Sequence, residues 1–226
     1  MTMSPTATPD WNAVDDYLGR LLVPEDPVLD RALRRAAEAG LPAISVSPLQ
    51  GVLLHVLARA LGARKVLEVG TLAGYSTVWL ARAVGPQGTV VTLEVDPHHA
   101  EVANVTFAEA EVSDRVQLRL GAALDTLPRL AEEGVGPFDL VFVDADKANN
   151  AAYFDWAVRL GRAGTVVIVD NVIRSGHVVE ADSTAPDVVG TRRFHEAMAA
   201  DERVVGTAIQ TVGAKGWTGF SIALVK

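Results

Sequence analysis

Four short apolar segments of this chain each end in an acidic residue. They are Val66–Glu68, Val90–Glu94, Leu140–Asp144 and Val166–Asp170. Segments this rich in β-branched residues, separated by stretches of helical periodicity, are typical of parallel strands that helices cover on both faces. Ligands of such sheets bind just beyond the carboxyl ends of the strands. We therefore expect the four acids to converge on one crevice.

The composition excludes several classes of function. The 226 residues include 20 basic and 28 acidic side chains, a net charge of -8, and no basic cluster exceeds the pairs Arg34-Arg35 and Arg192-Arg193. A nucleic-acid partner is not expected, because phosphate binding needs a concentrated basic surface. The absence of cysteine excludes disulfides, zinc–thiolate sites and thiol nucleophiles. Because the sequence contains no signal-like or membrane-spanning segment, we predict a cytoplasmic protein that has no membrane partner.

The order of strand-like and helix-like segments predicts an α/β fold. Over residues 66–169, five strands alternate with helices, which implies right-handed crossovers and a doubly wound sheet. Two more strand-like segments, 203–211 and 219–225, follow a long loop and a helix near 190–200. Because a short turn joins them, they are typical of an antiparallel pair at a sheet edge. The prediction is a mostly parallel, seven-stranded sheet with an antiparallel C-terminal strand.

The N-terminal region precedes the first strand. Residues 1–10 include two prolines and three threonines, and we predict a disordered tail there. We predict a single domain over 11–226, with a helical extension over 11–47. The two predicted helices of 11–40 have too many apolar residues for all of them to remain exposed to solvent. We therefore expect these helices to form a homodimer interface or a cap over the ligand pocket. These residues are Trp11, Val14, Leu18, Leu21, Leu22, Val28, Leu29 and Leu33.

A glycine-rich segment from Glu68 to Ser76 joins the first predicted strand to a helix. Gly70 and Gly74 allow a tight turn and a close approach of ligand to backbone, or simply close strand–helix packing. Their G-x-x-x-G spacing lacks the fingerprint that binds a pyrophosphate. Glu94 ends the second strand, where an acid accepts ribose hydroxyls. A ligand with a ribose but no pyrophosphate, such as S-adenosylmethionine, fits best, and its amino-acid end would lie near Glu68, Gly70 and Ser76.

A second group of polar residues follows the fourth and fifth strands. Asp144, Asp170 and Asn171 offer three side-chain oxygens, a donor set that suits Mg²⁺, or alternatively Mn²⁺ or Ca²⁺. Two adjacent substrate hydroxyls would complete such a site, and the cation would lower a phenolic pKa from about 10 towards neutrality. Lys147 is then positioned to accept the proton. The alternative is that Asp170-Asn171 is a turn and that Lys147 forms a solvated ion pair with Asp146.

Three segments of the chain resemble the cation-dependent O-methyltransferases, the family of caffeoyl-coenzyme A and catechol O-methyltransferases. The segments are Glu68–Ser76, Phe142–Lys147 and Asp170-Asn171, and the resemblance covers residues 40–226. It implies the class I methyltransferase fold, which is Rossmann-like, with the final antiparallel strand inserted into the sheet. It also implies homodimers.

The resemblance assigns roles to individual residues. It implies that Lys147 is the catalytic base, that Asp144 is also catalytic, and that Asp144, Asp170 and Asn171 bind the metal. It places the adenine of S-adenosylmethionine near the Gly121-Ala122 turn. The residues implied to bind this cofactor are Val46, Glu68, Gly70, Ser76, Glu94, Ala122 and Asp144.

The acceptor region departs from the family pattern. Arg174 stands where plant relatives often have an aromatic residue, and it would either favour an acceptor with a negative or strongly polar substituent or point to solvent. We expect residues 172–189 and 213–219 to form the acceptor walls, because loops beside the site usually determine specificity. Whether His177 and Trp217 contact the acceptor stays open. A small phenolic with adjacent hydroxyls, such as caffeic acid or a flavonoid, is expected rather than a bulky coenzyme A thioester.

The sequence thus predicts methyl transfer from S-adenosylmethionine to one hydroxyl of a catechol-like phenolic acceptor. Two alternatives remain. One is a nicotinamide-dependent reductase, because a parallel sheet with an acid after its second strand also occurs there. The other is a non-catalytic nucleoside-binding module.

Overall fold

Seven strands form one sheet in the computed structural model, which describes residues 10–226. The strands are β1 (Lys65–Val69), β2 (Thr89–Glu94), β3 (Val116–Leu120), β4 (Leu140–Val143), β5 (Val166–Asp170), β6 (Val204–Gly213) and β7 (Gly216–Val225). Their order across the sheet is β3-β2-β1-β4-β5-β7-β6. Strands β1 to β5 run parallel, and β7 is antiparallel to both of its neighbours. The predicted doubly wound sheet, with its last strand inserted beside β5, is confirmed.

Helices connect the strands and cover both faces of the sheet. They are α1 (Trp11–Leu22), α2 (Pro27–Glu38), α3 (Pro48–Ala60), α4 (Tyr75–Val84), α5 (Pro97–Glu109), α6 (Ala123–Glu132), α7 (Asn150–Arg159) and α8 (Pro186–Ala200). The helix predicted near 190–200 begins earlier, because Pro186 suits the first turn of a helix. Within residues 10–226, no helix is long and apolar enough to cross a membrane.

Helix α1 begins directly after the predicted tail. Asp10, which the prediction places in the tail, is the N-cap of α1, and its carboxylate accepts hydrogen bonds from the backbone amides of Asn12 and Ala13. Such a cap satisfies amides that a helix leaves unpaired at its beginning. The rest of the predicted tail, 1–9, lies outside the described residues.

Alternate residues of each central strand pack on opposite faces of the sheet. Leu67 of β1 belongs to an apolar cluster with Phe154 of α7. Its neighbour Val66 belongs to a second cluster with Leu80 of α4. Because both faces are buried, the strands need no polar alternation, which explains their continuous apolar sequence. This packing fixes the carboxyl ends of β1, β2, β4 and β5 along one edge of the sheet.

Helix α1 lies against the C-terminal hairpin rather than in the core. None of its residues is buried. It contacts α3 and β6, and the carboxylate of Asp15 accepts a hydrogen bond of 2.7 Å from the backbone amide of Ala214 in the β6–β7 turn. The N-terminal extension therefore supports the turn that the sequence predicts as an acceptor wall.

Candidate active site

A cavity of about 570 Å³ opens at the carboxyl ends of β1, β2 and β4. This volume lies in the range that is usual for small-molecule sites. The predicted cofactor residues that line it are Val46, Gly70, Ser76, Glu94, Ala122 and Asp144. The sheet thus brings together residues that are almost a hundred positions apart in the sequence. Glu68 does not line the cavity.

Glu68 lies behind Ser76 and is completely buried. Its carboxylate accepts hydrogen bonds of 2.7 Å from Ser76 Oγ and from Thr92 Oγ1, and a further one from Thr77 Oγ1. Burial raises the pKa of Glu68 to about 7, although the three hydroxyl donors oppose this shift. The structure therefore gives Glu68 a positioning role, because it orients the hydroxyl of Ser76 that does line the cavity.

Backbone amides hold the Glu94 carboxylate at the end of β2. One oxygen accepts from Leu72 N at 2.8 Å, and the other accepts from Val95 N at 2.8 Å and Asp96 N at 2.9 Å. The side chain is nearly buried, yet it faces the cavity. A carboxylate has about four acceptor sites. Three of them are occupied by the backbone amides, so Glu94 retains about one acceptor site for a hydroxyl such as that of a ribose.

Lys147 is buried beside Asp144. Its ammonium is 2.7 Å from Asp144 Oδ1, and the residue is only 8% exposed. A 3₁₀ turn over Lys147–Asn149 directs the side chain back towards Asp144. The alternative of a solvated ion pair between Asp146 and Lys147 is wrong, because Asp146 instead accepts hydrogen bonds from Asn149 and Tyr153.

The end of β5 places two more oxygen donors next to this pair. Asp170 Oδ2 accepts a hydrogen bond from Gln50 Nε2 at 2.6 Å, and Asp170 Oδ1 accepts one from the backbone N–H of Asn171 at 2.8 Å. The Asn171 side-chain nitrogen donates to Thr218 Oγ1 at 3.3 Å, which leaves its amide oxygen as the atom suited to a cation. Asn171 has a φ of 57°, a left-handed conformation that asparagine adopts more readily than most residues.

The charges of this group favour a hard cation. Burial, together with repulsion from Asp144, raises the pKa of Asp170 to about 6, and Lys147 opposes this shift. Within residues 10–226, no three His, Cys, Asp or Glu side chains form a metal cluster, and the predicted set instead combines two carboxylates with one amide. Such all-oxygen donors suit Mg²⁺. The residues present therefore fit the cation that the sequence predicts.

A second cavity of about 350 Å³ adjoins the first at Asn171 and Arg174, which line both. Both predicted acceptor walls contribute to it, including His177 and Trp217. Arg174 forms an ion pair with Asp187. Burial alone would raise the pKa of Asp187, but the guanidinium outweighs it and lowers that pKa. The positive charge of Arg174 is thus compensated within the wall.

Comparison with known proteins identifies the family. The family model described as O-methyltransferase matches residues 22–216. The chain belongs to the O-methyltransferase family. A catechol O-methyltransferase of Mycobacterium tuberculosis is 55% identical over 213 residues, 94% of this chain and 95% of that protein. A catechol O-methyltransferase of Niastella koreensis is 50% identical over 216 residues, 96% of this chain and 98% of that protein.

A solved structure agrees with this family membership. The O-methyltransferase of Bacillus cereus in complex with SAH superposes with a TM-score of 0.94 at 51% identity, and the match covers 96% of this chain and 98% of that chain. The prediction of an S-adenosylmethionine-dependent O-methyltransferase with the class I fold is confirmed.

Sequence reasoning missed several residues of this O-methyltransferase site. Asn149 and Tyr153 line the first cavity, where Tyr153 donates to Asp146, and burial together with Asp146 raises the pKa of Tyr153. His99 lies 3.5 Å from Glu94, and Gln50 contacts Asp170. His99 follows shortly after Glu94, the acid that ends β2, and this position in the sequence could have identified it as a site residue. Gln50 has no such signal, because its α3 position is remote in sequence.

Proposed function

We propose that this O-methyltransferase transfers a methyl group from S-adenosylmethionine to one hydroxyl of a catechol-like phenol, with the help of a divalent cation. The observation that supports this most directly is the buried Lys147–Asp144 contact of 2.7 Å, beside Asp170 and Asn171 where the two cavities meet. The name catechol O-methyltransferase, which both curated relatives bear, agrees with the proposal.

The first cavity is the proposed site of S-adenosylmethionine. Glu94, held by three backbone amides, binds the ribose hydroxyls. Ser76 and the backbone at Gly70 face the amino-acid end, and Ala122 faces the adenine. The SAH bound by the Bacillus cereus relative, which is the demethylated product of S-adenosylmethionine, supports a cofactor of this kind.

The second cavity is the proposed site of the acceptor. Asp144, Asp170 and Asn171 would hold the cation, most simply Mg²⁺, with Mn²⁺ or Ca²⁺ as alternatives. When bound, the cation lowers the pKa of a phenolic hydroxyl and orients it. Lys147, once it is in its neutral amine form, would receive the hydroxyl proton at Nζ, which lies 2.7 Å from Asp144 Oδ1. The methyl donor is already activated, so the walls of the two cavities chiefly align the oxygen, methyl carbon and sulfur.

The two alternative functions lose support from the family membership and from the site. The G-x-x-x-G turn does not provide the pyrophosphate site of a nicotinamide enzyme. A non-catalytic nucleoside-binding module would have no need of a buried lysine beside a cation-binding set. Calorimetric titration separates the possibilities: we expect binding of S-adenosylmethionine and none of NAD, and the opposite result would favour the reductase.

A methyl-transfer assay tests the proposal. The protein is assayed with catechol and S-adenosylmethionine over a range of Mg²⁺ concentrations, and again with excess chelator. We expect turnover that rises with Mg²⁺ and is lost in chelator. Undiminished turnover in chelator would refute the role of the cation, and no methylation of any vicinal diol would refute the acceptor class.

A further inference from the structure

We infer that Lys215 selects acceptors that have an anionic group, such as a carboxylate, on the side of the ring away from the vicinal hydroxyls. The inference rests on the proposed function, since it concerns the cavity proposed for the acceptor. Lys215 lies in the two-residue turn between β6 and β7, and it lines this cavity.

The basic side chains of the acceptor cavity differ in their partners. Arg174 pairs with Asp187, and His177 Nδ1 lies 2.7 Å from Glu180 Oε1. Lys215 Nζ has a neutral partner, the carbonyl oxygen of Ala43, at 3.3 Å. Of these three residues, Lys215 alone has no carboxylate partner among residues 10–226. It is therefore the positive charge that remains available to an anionic ligand.

The position of Lys215 determines how far it lies from the acceptor hydroxyls that react. Thr218, three residues along the hairpin, accepts a hydrogen bond from Asn171 in the proposed cation site. Extended backbone rises roughly 3.3 Å per residue, so the Lys215 backbone lies within about 10 Å of Thr218. A phenyl ring separates its hydroxyls from a substituent on the far side by a shorter length, and the flexible four-carbon side chain of Lys215 can span the difference. An acceptor whose hydroxyls face Asn171 can thus direct that substituent towards Lys215.

The wall between these two points is aromatic. The Trp217 ring packs on the kinked 3₁₀ segment Arg174–Val179, where a Cβ on Gly176 would lie 2.5 Å from the ring. Trp217 Nε1 donates to Gln210 Oε1 at 3.0 Å, which fixes the ring on the hairpin. A planar apolar surface between a cation site and an ammonium matches a phenolic acid better than a neutral polyol.

The turn itself is held from outside the cavity. Asp15 of α1 accepts the hydrogen bond from Ala214 N, directly before Lys215. The carboxylate of Asp15 thus supports the backbone of the turn.

The test compares 3,4-dihydroxybenzoate with 3,4-dihydroxybenzamide, which share a ring and a size but differ in charge. We expect Lys215→Ala to lower kcat/KM for the acid roughly three- to fivefold, the usual scale for an exposed ion pair, through KM rather than kcat. The value for the amide stays within about twofold. Lys215→Arg retains the preference for the acid, and added salt weakens it in the wild type.

Lys226→Ala is the matched control. The Lys226 ammonium likewise donates to a backbone carbonyl, that of Glu202 at 3.0 Å, but it does not line the cavity. We expect this variant to leave the acid-to-amide ratio unchanged. If Lys215→Ala also leaves that ratio unchanged while both substrates are methylated, the role of Lys215 is refuted and the proposed function stands. If the wild type methylates neither substrate, both are refuted.

Discussion

A Cβ atom on Gly70 would lie 2.8 Å from the carbonyl carbon of Asp144, and closer still to its oxygen. The preceding residues, Val69 and Val143, are paired in the parallel ladder of β1 and β4. Gly70 also has a φ of 102°, which side chains disfavour. The glycine therefore allows the turn proposed to bind the cofactor and the first carboxylate proposed to bind the cation to lie next to each other.

Replacement of Gly70 is expected to damage both stability and cofactor binding. Gly70→Ala combines unfavourable φ with the clash against Asp144, whereas Gly85→Ala has a positive φ of 71° and no atom within 4 Å of the new Cβ. A side chain in so sparsely populated a backbone conformation costs about 1–3 kcal/mol. We expect Gly70→Ala to lower the free energy of unfolding more than Gly85→Ala does. We also expect the Gly70→Ala variant to bind S-adenosylmethionine at least tenfold more weakly than the wild type. Urea denaturation and calorimetry measure the two effects, and equal behaviour of both variants would contradict the prediction.

Substitutions of Lys147 and Asp144 are expected to impair activity in different ways. Lys147→Ala should lower kcat roughly 10²-fold or more, because a general base is lost, with cation affinity nearly retained. Asp144→Ala should weaken cation affinity itself. Steady-state kinetics over a Mg²⁺ series separates the two. Lys65→Ala at the opposite end of β1 is the control, and wild-type turnover in the two site variants would contradict both assigned roles.

The buried Glu68 carboxyl should make stability depend on pH. Its folded pKa, about 7, lies above the ordinary value of 4.5 for a glutamate carboxyl. The stabilising contribution is thus fully present below pH 4.5 and is lost as the pH rises through about 7, a change of roughly 3 kcal/mol. We expect Glu68→Gln to remove this component from the pH dependence of the unfolding free energy. Urea denaturation at pH 5 and pH 8 measures it, and an identical slope in the variant would argue against the raised pKa.

Helix α1 presents apolar side chains that favour a homodimer. Those with large exposed fractions are Trp11 at 41%, Val14 at 53%, Tyr17 at 58%, Leu21 at 63% and Leu22 at 62%. A surface of this kind on one helix usually marks an interface. We expect a dimeric mass by light scattering at micromolar concentration and a shift towards monomer in Leu21→Asp. A monomeric wild type would overturn the prediction.

The acceptor cavity should prefer a small phenolic acid to a bulky thioester. Its volume of about 350 Å³ suits a single substituted ring. We expect a higher kcat/KM for caffeic acid than for its coenzyme A ester, and a tenfold advantage of the ester would contradict this.

The Arg174–Asp187 ion pair gives a separate prediction for the same cavity. Arg174→Ala leaves Asp187 uncompensated in the wall, so it should lower kcat/KM for caffeic acid more than for neutral catechol. The double variant Arg174→Ala/Asp187→Ala should restore most of the wild-type ratio of kcat/KM for caffeic acid to kcat/KM for catechol, because the uncompensated charge is then absent. If the single variant leaves the ratio unchanged, the charge balance of the wall does not affect the acceptor.

The sequence predicts the sheet well because its strands are continuous apolar segments, and it predicts the site because parallel strands align their carboxyl ends. It does not predict the surroundings of Glu68. Thr92 is the register partner of Glu68 across β1 and β2, and Thr77 reaches the same carboxylate from α4. Such contacts depend on strand register and helix rotation, which no local pattern encodes. The pairing of Lys147 with Asp144 rather than Asp146 likewise depends on the 3₁₀ turn.

The hydrogen bond between Asp15 and Ala214 joins residues that are 199 positions apart. Closing so long a loop is entropically costly, and contacts of this range form late in folding. Most residues of the cofactor cavity belong to the central sheet and the helices beside it, so they can assemble before α1 meets the hairpin. We therefore expect a refolding chain to regain its affinity for S-adenosylmethionine before it regains a formed acceptor wall.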